Sequence, residues 1–173
     1  CKDDYNITFA ASNKDDIIFI NPLWRNGRIG GTYWSGAGND IIVGDYGQQD
    51  VYLGDGADTV WMGYRWSKLD KTSYDYSLNR YETRGYMSIM DFRPGEDSIR
   101  LPKPISNYAW KQKGQDQFLE YSYKSQYKGD VTEAVLCMRG LSSSQLEDCL
   151  RNGSIRYDQG YFNLDDNMLR WVF

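Results

Sequence analysis

The fold of this chain is decided by residues 35–63, which read SGAGNDIIVGDYGQQDVYLGDGADTVWMG. The stretch holds two matching cassettes, 36–40 and 54–58, each a glycine-rich turn that ends in aspartate and leads into a short apolar run. A third, longer turn at 44–50 lies between them and also ends in aspartate. Asp40 and Asp50 are ten residues apart and Asp50 and Asp58 are eight apart, so Asp40 and Asp58 are eighteen apart, twice a nine-residue period. This period predicts short strands that alternate between two opposed sheets, with Asp40 and Asp58 on the same edge.

Incomplete copies of the pattern flank this stretch. Residues 13–20 (NKDDIIFI) resemble a cassette without its glycines, and residues 28–34 (RIGGTYW) can supply an opposing strand. Residues 88–101 (SIMDFRPGEDSIRL) have the form of a strand, an acidic Pro-Gly turn and a closing strand. A polar, tyrosine-rich insert at 64–87 interrupts the repeat and is expected to project from it. The sequence therefore predicts a degenerate roll over residues 1–101 that carries this insert.

The remaining residues, 102–173, predict a β-rich C-terminal cap. Runs at 108–111, 117–123 and 131–138 have strand character and are separated by glycine-containing turns. Ser142 and Gln145 have capping-box spacing and Asn152-Gly153 supplies a stop, which predicts a helix near 143–152. The predicted fold class is mostly β: a short parallel β-roll with two opposed sheets, capped by a small antiparallel sheet and one helix.

Composition excludes several functional classes. The 173 residues fit one domain, and a net charge of −4 gives no basic field that would attract nucleic acid. The chain has no histidine, which removes the Ser-His-Asp arrangement and the zinc-peptidase ligand pair. No run approaches the roughly 20 apolar residues that span a bilayer, and the start, CKDDY, has no hydrophobic signal core. The chain is not expected to be an enzyme, because its acidic pairs, Glu96-Asp97 and Asp165-Asp166, are more typical of turns than of a glycosidase.

The cassettes resemble the G-G-x-G-x-D-x-U-x nonapeptides of the RTX, or haemolysin-type, calcium-binding repeat family. Four positions of that motif are matched twice, by Gly36, Gly38, Asp40 and Ile42 and again by Gly54, Gly56, Asp58 and Val60. Ser35 and Leu53 stand where the first glycine belongs, and the middle cassette keeps Asp50 without the spacing. The resemblance covers about half of the chain.

The resemblance implies Ca²⁺ held between stacked turns. Calcium takes about six to eight oxygen ligands in irregular geometry, and glycine lets successive carbonyls of a tight turn point at one centre. We expect one complete site, formed by Gly36, Gly38, Asp40, Gly54, Gly56 and Asp58. One or two weaker sites would use Asp16, Asp45, Asp50 or Asp55. Asp50 has Thr32 and Lys68, and no aspartate, eighteen residues to either side, and Asp16 reaches the first edge only if 22–27 bulge out.

The resemblance also implies a bacterial module that works outside the cytoplasm, secreted or at the cell surface. Calcium is scarce in the cytosol, so such a chain would fold on export and serve a structural, secretion-linked or adhesive role. Two other functions stay open: a recognition module for a glycan or a protein, or the non-catalytic C-terminal module of a larger secreted enzyme. Recognition would use aromatic residues of the insert, which could equally well pack over the roll: Trp66, Tyr74, Tyr76 and Tyr81. Ordinary hairpins are the alternative for the glycine turns, whereas no EF-hand loop is present.

The three cysteines, Cys1, Cys137 and Cys149, allow at most one internal disulfide. A bond between Cys137 and Cys149 would close a short loop, and the sequence leaves it open. A leading cysteine is compatible with lipid attachment at the cell surface, but a cleavage boundary explains Cys1 equally well.

Overall fold

The computed structural model describes residues 5–20, 29–44, 49–62, 86–101, 103–125 and 129–158. Within these ranges the chain forms strands, one α-helix and a 3-10 turn at Ile105–Asn107. The elements are β1 (Tyr5–Ala10), β2 (Ile17–Ile20), β3 (Ile29–Trp34), β4 (Ile41–Gly44), β5 (Gln49–Tyr52), β6 (Thr59–Met62), β7 (Met87–Ile89), β8 (Ser98–Leu101), β9 (Tyr108–Lys113), β10 (Asp116–Ser125), β11 (Gly129–Met138), α1 (Ser143–Asn152) and β12 (Ile155–Tyr157).

The first eight strands alternate between two sheets. Odd-numbered strands lie in a seven-stranded sheet of order β1-β3-β5-β7-β11-β10-β9, and even-numbered strands in a five-stranded sheet of order β12-β8-β6-β4-β2. All neighbours among these eight strands are parallel. Each consecutive pair of strands, one from each sheet, is called a rung below: rung 1 is β1 with β2, and rung 4 is β7 with β8. The predicted mostly β class with parallel sheets is confirmed.

One apolar core fills the space between the sheets. In β2, β5, β6 and β8, buried residues alternate with more exposed ones, as the period of two in a β-strand requires. The five-stranded sheet contributes Ile42, Val60 and Ile99, and the seven-stranded sheet contributes Val51 and Ile89, all at 1% exposure or less. Short strands with one or two inward residues suffice because every rung stacks on the next and extends the same core.

The C-terminal strands correct part of the prediction. The antiparallel strands β9, β10 and β11 were expected to form a separate small sheet, but β11 pairs in parallel with β7 and so extends the seven-stranded sheet. β12 likewise pairs in parallel with β8 and extends the five-stranded sheet. Leu119, Leu136 and Met138 consequently belong to the same core as the rungs. The predicted end of the insert at 87 is also too late, because Met87 begins β7.

The single helix of the described residues begins and ends where the sequence predicts. The Ser142 hydroxyl accepts the Gln145 backbone N–H at 3.2 Å, and the Gln145 side chain accepts the Ser142 N–H at 3.0 Å. Gly153 ends the helix in the left-handed conformation, with φ 81°. Leu146 and Cys149 face the core. Cys137 and Cys149 are both buried free thiols, so the disulfide that the sequence left open is not formed.

Several predicted features lie outside the described residues, namely Cys1, Asp45 and the insert aromatics Trp66, Tyr74, Tyr76 and Tyr81. In the part of the chain that is described, no helix has the length and apolar character needed to cross a membrane.

Candidate metal-binding site

Strand register brings four aspartates into one stack at the edge of the five-stranded sheet. Each one immediately precedes a strand of that sheet, and the first residues of those strands are aligned as Ile17, Ile41, Thr59 and Ser98. The stack, called the aspartate ladder below, consists of Asp16, Asp40, Asp58 and Asp97 in rungs 1 to 4. The expected stacking of Asp40 on Asp58 is therefore present in the fold.

Hydrogen bonds tie each rung of the ladder to the next. The Asp16 N–H donates to Asp40 Oδ1 at 2.8 Å, the Asp40 N–H to Asp58 Oδ1 at 2.7 Å, and the Asp58 N–H to Asp97 Oδ1 at 3.0 Å. One carboxylate oxygen of each of the last three aspartates thus holds the backbone of the rung before it. A second row of hydrogen bonds joins the same rungs in the opposite direction: Asp15 Oδ1 accepts the Asn39 N–H and Asn39 Oδ1 accepts the Ala57 N–H.

The second carboxylate oxygen distinguishes the end rungs from the middle rungs. At the ends it is satisfied within its own turn: Asp16 Oδ2 accepts the Ser12 N–H at 2.9 Å, and Asp97 Oδ2 accepts the Arg93 N–H at 2.7 Å. In the middle, Asp40 Oδ2 and Asp58 Oδ2 are buried and have no hydrogen-bond partner among the described residues. Buried polar atoms are nearly always partnered, so these two oxygens, on adjacent rungs, are the anomaly of this edge.

The glycines of the two cassettes are required by the close stacking of their turns. Gly36, Gly38, Gly54 and Gly56 all have φ between 78° and 128°. A Cβ on Gly54 would lie 1.8 Å from the Gly36 carbonyl oxygen, and a Cβ on Gly56 would lie 1.8 Å from that of Gly38. The turns are joined directly, by the Asp55 N–H to Gly36 O at 3.0 Å and the Gly38 N–H to Asp55 O at 2.9 Å. Any side chain at these positions would force the turns apart.

Burial makes the carboxylates of Asp40, Asp58 and Asp97 unusually hard to ionise, since it raises the pKa of each. It raises the pKa of Asp58 from 3.8 to about 7, and the neighbouring carboxylates of Asp97 and Asp40 add to this rise. Burial also raises the pKa of Asp40 and of Asp97, against the hydrogen bonds that their carboxylates accept from backbone N–H groups. The Ser35 hydroxyl lowers the pKa of Asp40, and the same hydroxyl lies 2.5 Å from the Leu53 carbonyl oxygen and 3.2 Å from that of Tyr52. A cation beside Asp40 and Asp58 would reverse these rises.

The weaker candidates are not all near this edge. Asp16 lies in the ladder, and Asp55 lies in the adjacent turn, where its exposed carboxylate pairs with Arg93 at 3.4 Å. Asp50 lies within β5 as an exposed residue aligned with Thr32 and Ser88, so it faces away from the core.

Sequence reasoning missed one ladder group and one further carboxylate of the rung 4 turn. Asp97 was expected to lie in an acidic turn of the closing segment and was not assigned to the metal site, and Asp91, which accepts the Leu53 and Gly54 N–H groups at 2.7 and 3.0 Å, was not singled out. The available signal was position: Asp97 precedes a closing strand just as Asp40 and Asp58 precede theirs. The repeat spacing did not reveal Asp97, because the insert lengthens the interval between Asp58 and Asp97 to 39 residues.

The donors at this edge suit a hard divalent cation. Within the described ranges, no three acidic or cysteine side chains gather around one point, so coordination would need backbone carbonyl oxygens and water as well. Calcium accepts such a mixed oxygen set, and the unpartnered oxygens of Asp40 and Asp58 would supply two carboxylate ligands on adjacent turns. A carbonyl oxygen such as that of Gly36 accepts one N–H and retains a second lone pair. The residues present therefore fit calcium between rungs 2 and 3.

Comparisons with known proteins bear on the fold. No family model matches the chain, and no curated protein sequence matches it. Among solved structures, it is similar to the solution structure of the AlgE6R3 subunit from the Azotobacter vinelandii mannuronan C5-epimerase, with a TM-score of 0.51. The identity is 18%, and the match covers 94% of this chain and 88% of that one. At this identity the likeness supports the two-sheet fold alone.

Proposed function

We propose that the chain is a calcium-binding module of the RTX-like β-roll type, in which Asp40 and Asp58 hold one ion between rungs 2 and 3. The observation that carries the proposal is the pair of buried, unpartnered carboxylate oxygens on adjacent rungs. When bound, calcium supplies the positive charge that lets both carboxylates stay ionised away from water. Gly36, Gly38, Gly54 and Gly56 bring the two turns close enough for both aspartates to contribute.

The role we propose is structural, secretion-linked or adhesive, outside the cytoplasm and without catalysis. The rungs bury few apolar side chains each, so binding energy at the ladder adds directly to folding energy. A ligand present at about 100 times its Kd stabilises the folded state by about 2.7 kcal/mol. The chain would then gain stability where calcium is abundant. The solved structure of similar fold is a subunit of an epimerase, and our proposal includes a place for this chain within a larger protein.

Calorimetric titration with calcium, together with urea unfolding in calcium and in chelator, tests the proposal. The wild-type protein should bind calcium and unfold at higher urea when the ion is present. Asp40→Asn and Asp58→Asn keep the size and one acceptor oxygen of each side chain but remove its charge, so both should lose most of the calcium response. In chelator at neutral pH, each should be at least as stable as wild type, because a buried charge has been removed.

Asp50→Asn is the matched control, since Asp50 is exposed on a strand of the other sheet. It should leave the calcium response unchanged. A wild-type protein that shows neither binding heat nor a shift in unfolding would sink the proposal, and equal losses for Asp50→Asn and Asp40→Asn would place the ion elsewhere.

A recognition role is the second candidate, and an exposed aromatic pair supports it. Trp34 and Tyr52 stack face to face on neighbouring strands, with centroids 3.7 Å apart and ring planes 5° apart, and Trp34 is 44% exposed. The next strand places Ala10, a small residue, in register beside Trp34. Glycan-array binding that disappears in Trp34→Ala and survives in Phe9→Ala, another exposed aromatic residue, would support this function.

A further inference from the structure

The turn of rung 4 is one residue longer than that of rung 3, since Ile89 and Asp97 are eight residues apart and Val51 and Asp58 seven, and it carries Arg93. Val51 of rung 3 pairs with Ile89 of rung 4. Asp55 and Arg93 each follow these paired residues by four positions, so they lie at equivalent points of the two turns. In rung 3 the Asp55 backbone N–H donates to the Gly36 carbonyl oxygen of the rung before. In rung 4 the Arg93 N–H is turned to Asp97 within its own turn, and the Arg93 guanidinium donates instead to the Gly54 carbonyl oxygen. A side chain thus replaces the backbone contact between rungs 3 and 4.

The guanidinium brings a fixed positive charge into this layer. It pairs with Asp55 at 3.4 Å and with Glu96 at 3.3 Å, one carboxylate from each of the two turns. Its charge also lowers the pKa of Asp58 and of Asp97, against the effect of burial. Carbonyl and carboxylate oxygens from two stacked turns, gathered around one positive centre, are the environment that a calcium ion would need.

We propose that Arg93 is a resident cation that takes the place of a metal ion between rungs 3 and 4. This inference rests on the proposed function for its contrast with rungs 2 and 3, where no described protein cation is hydrogen-bonded to the unpartnered oxygens of Asp40 and Asp58. The layer between rungs 3 and 4 is then complete without metal. The ladder binds its ion only in the middle, and its C-terminal end stays ordered when calcium is removed.

Hydrogen exchange in chelator tests Arg93 without any dependence on calcium. The probes are the Leu53, Gly54 and Asp58 amides, which donate to Asp91 and Asp97 across this layer. In Arg93→Gln these amides should exchange about tenfold faster than in wild type or more, because charge-assisted hydrogen bonds are lost. Arg93→Lys should recover part of that protection, since it keeps the charge and loses the planar fork. Arg151→Gln, which removes an exposed arginine from an ion pair on the helix, should leave the three amides unchanged.

Equal exchange in Arg93→Gln and wild type would overturn the inference, and so would equal acceleration by the Gln and Lys variants. A wild-type crystal grown in calcium gives an answer that does not depend on a variant folding. The guanidinium on Gly54 O with no ion in that layer supports the inference, whereas an ion there with Arg93 displaced overturns it. An absence of calcium between rungs 2 and 3 of the same crystal would count against the proposed function and leave Arg93 untouched.

Discussion

Replacing Gly54 by alanine should separate two rungs, and the structure allows the size of the effect to be worked out. Gly54 has φ 78°, a left-handed conformation that costs an alanine about 1–2 kcal/mol. Its new Cβ would lie 1.8 Å from the Gly36 carbonyl oxygen, whereas real Cβ contacts essentially never fall below 3.0 Å. The turns must therefore move apart by more than about 1 Å. That movement disrupts the two hydrogen bonds between them, at about 1 kcal/mol each or more if a buried group is left unpaired. We expect Gly54→Ala to lower the free energy of unfolding by about 3–5 kcal/mol.

Gly153→Ala is the matched control for this prediction. Gly153 has φ 81°, almost the same conformation, but a Cβ there would meet nothing within 4 Å. It should cost only the conformational part, about 1–2 kcal/mol. Urea unfolding followed by circular dichroism, with the slope checked for constancy, measures both values in chelator. If the two variants lose the same stability to within about 0.5 kcal/mol, a typical error of such comparisons, then the turns are not in the close contact described here.

Three further outcomes follow from the same contacts. In chelator, stability should fall as pH rises from about 3.8 to about 7, because the folded-state pKa of Asp58 is raised from 3.8 to about 7, and this contribution amounts to at most about 4 kcal/mol. Asp58→Asn should reduce this slope in urea unfolding, and the remainder is due to Asp40 and Asp97, whose pKa values burial also raises. Ser142→Ala should cost about 1 kcal/mol by loss of the helix cap, measured in the same way, with the exposed Ser106→Ala near zero. Leu119→Ala should lower the free energy of unfolding by about 2–5 kcal/mol, because Leu119 belongs to the core that the rungs share. Fluorescence and circular dichroism should follow one common unfolding transition. Two separate transitions would instead support independent N- and C-terminal parts.

The sequence predicts those parts of the fold that depend on the spacing of residues close together in the chain. The eighteen-residue interval between Asp40 and Asp58 predicts that successive strands alternate between two sheets, because it has room for two short strands and two turns. The helix is equally local, since its cap and its stop lie within a few residues of its ends. From the sequence, Asp16 aligns with Asp40 only if residues 22–27 bulge out. The pairing of Ile17 with Ile41 shows that Asp16 and Asp40 are aligned.

Local spacing does not predict which strands pair when they are far apart in the sequence. No local pattern shows that β11 would lie beside β7, about 50 residues away, and the C-terminal strands were therefore predicted as a separate sheet. The same holds for Asp97, whose place in the ladder depends on how the insert is looped out. Arg93 could not be recognised either, because its role depends on the direction of one backbone N–H in a turn.

The difference between end and middle rungs traces back to the glycines, and it gives them a second role. In rungs 1 and 4 the residue four positions before the aspartate is Ser12 or Arg93, and its N–H satisfies the second carboxylate oxygen. In rung 3 that residue is Gly54, whose N–H donates to Asp91 instead, so Asp58 Oδ2 is left without a partner. The left-handed conformation that glycine permits thus turns an amide away from the carboxylate and leaves its oxygen open to a cation. Under the proposed function, ion binding would therefore be confined to the centre of the ladder, where Gly36 and Gly54 stand four residues before the aspartates, and would not occur at its ends, where Ser12 and Arg93 stand there.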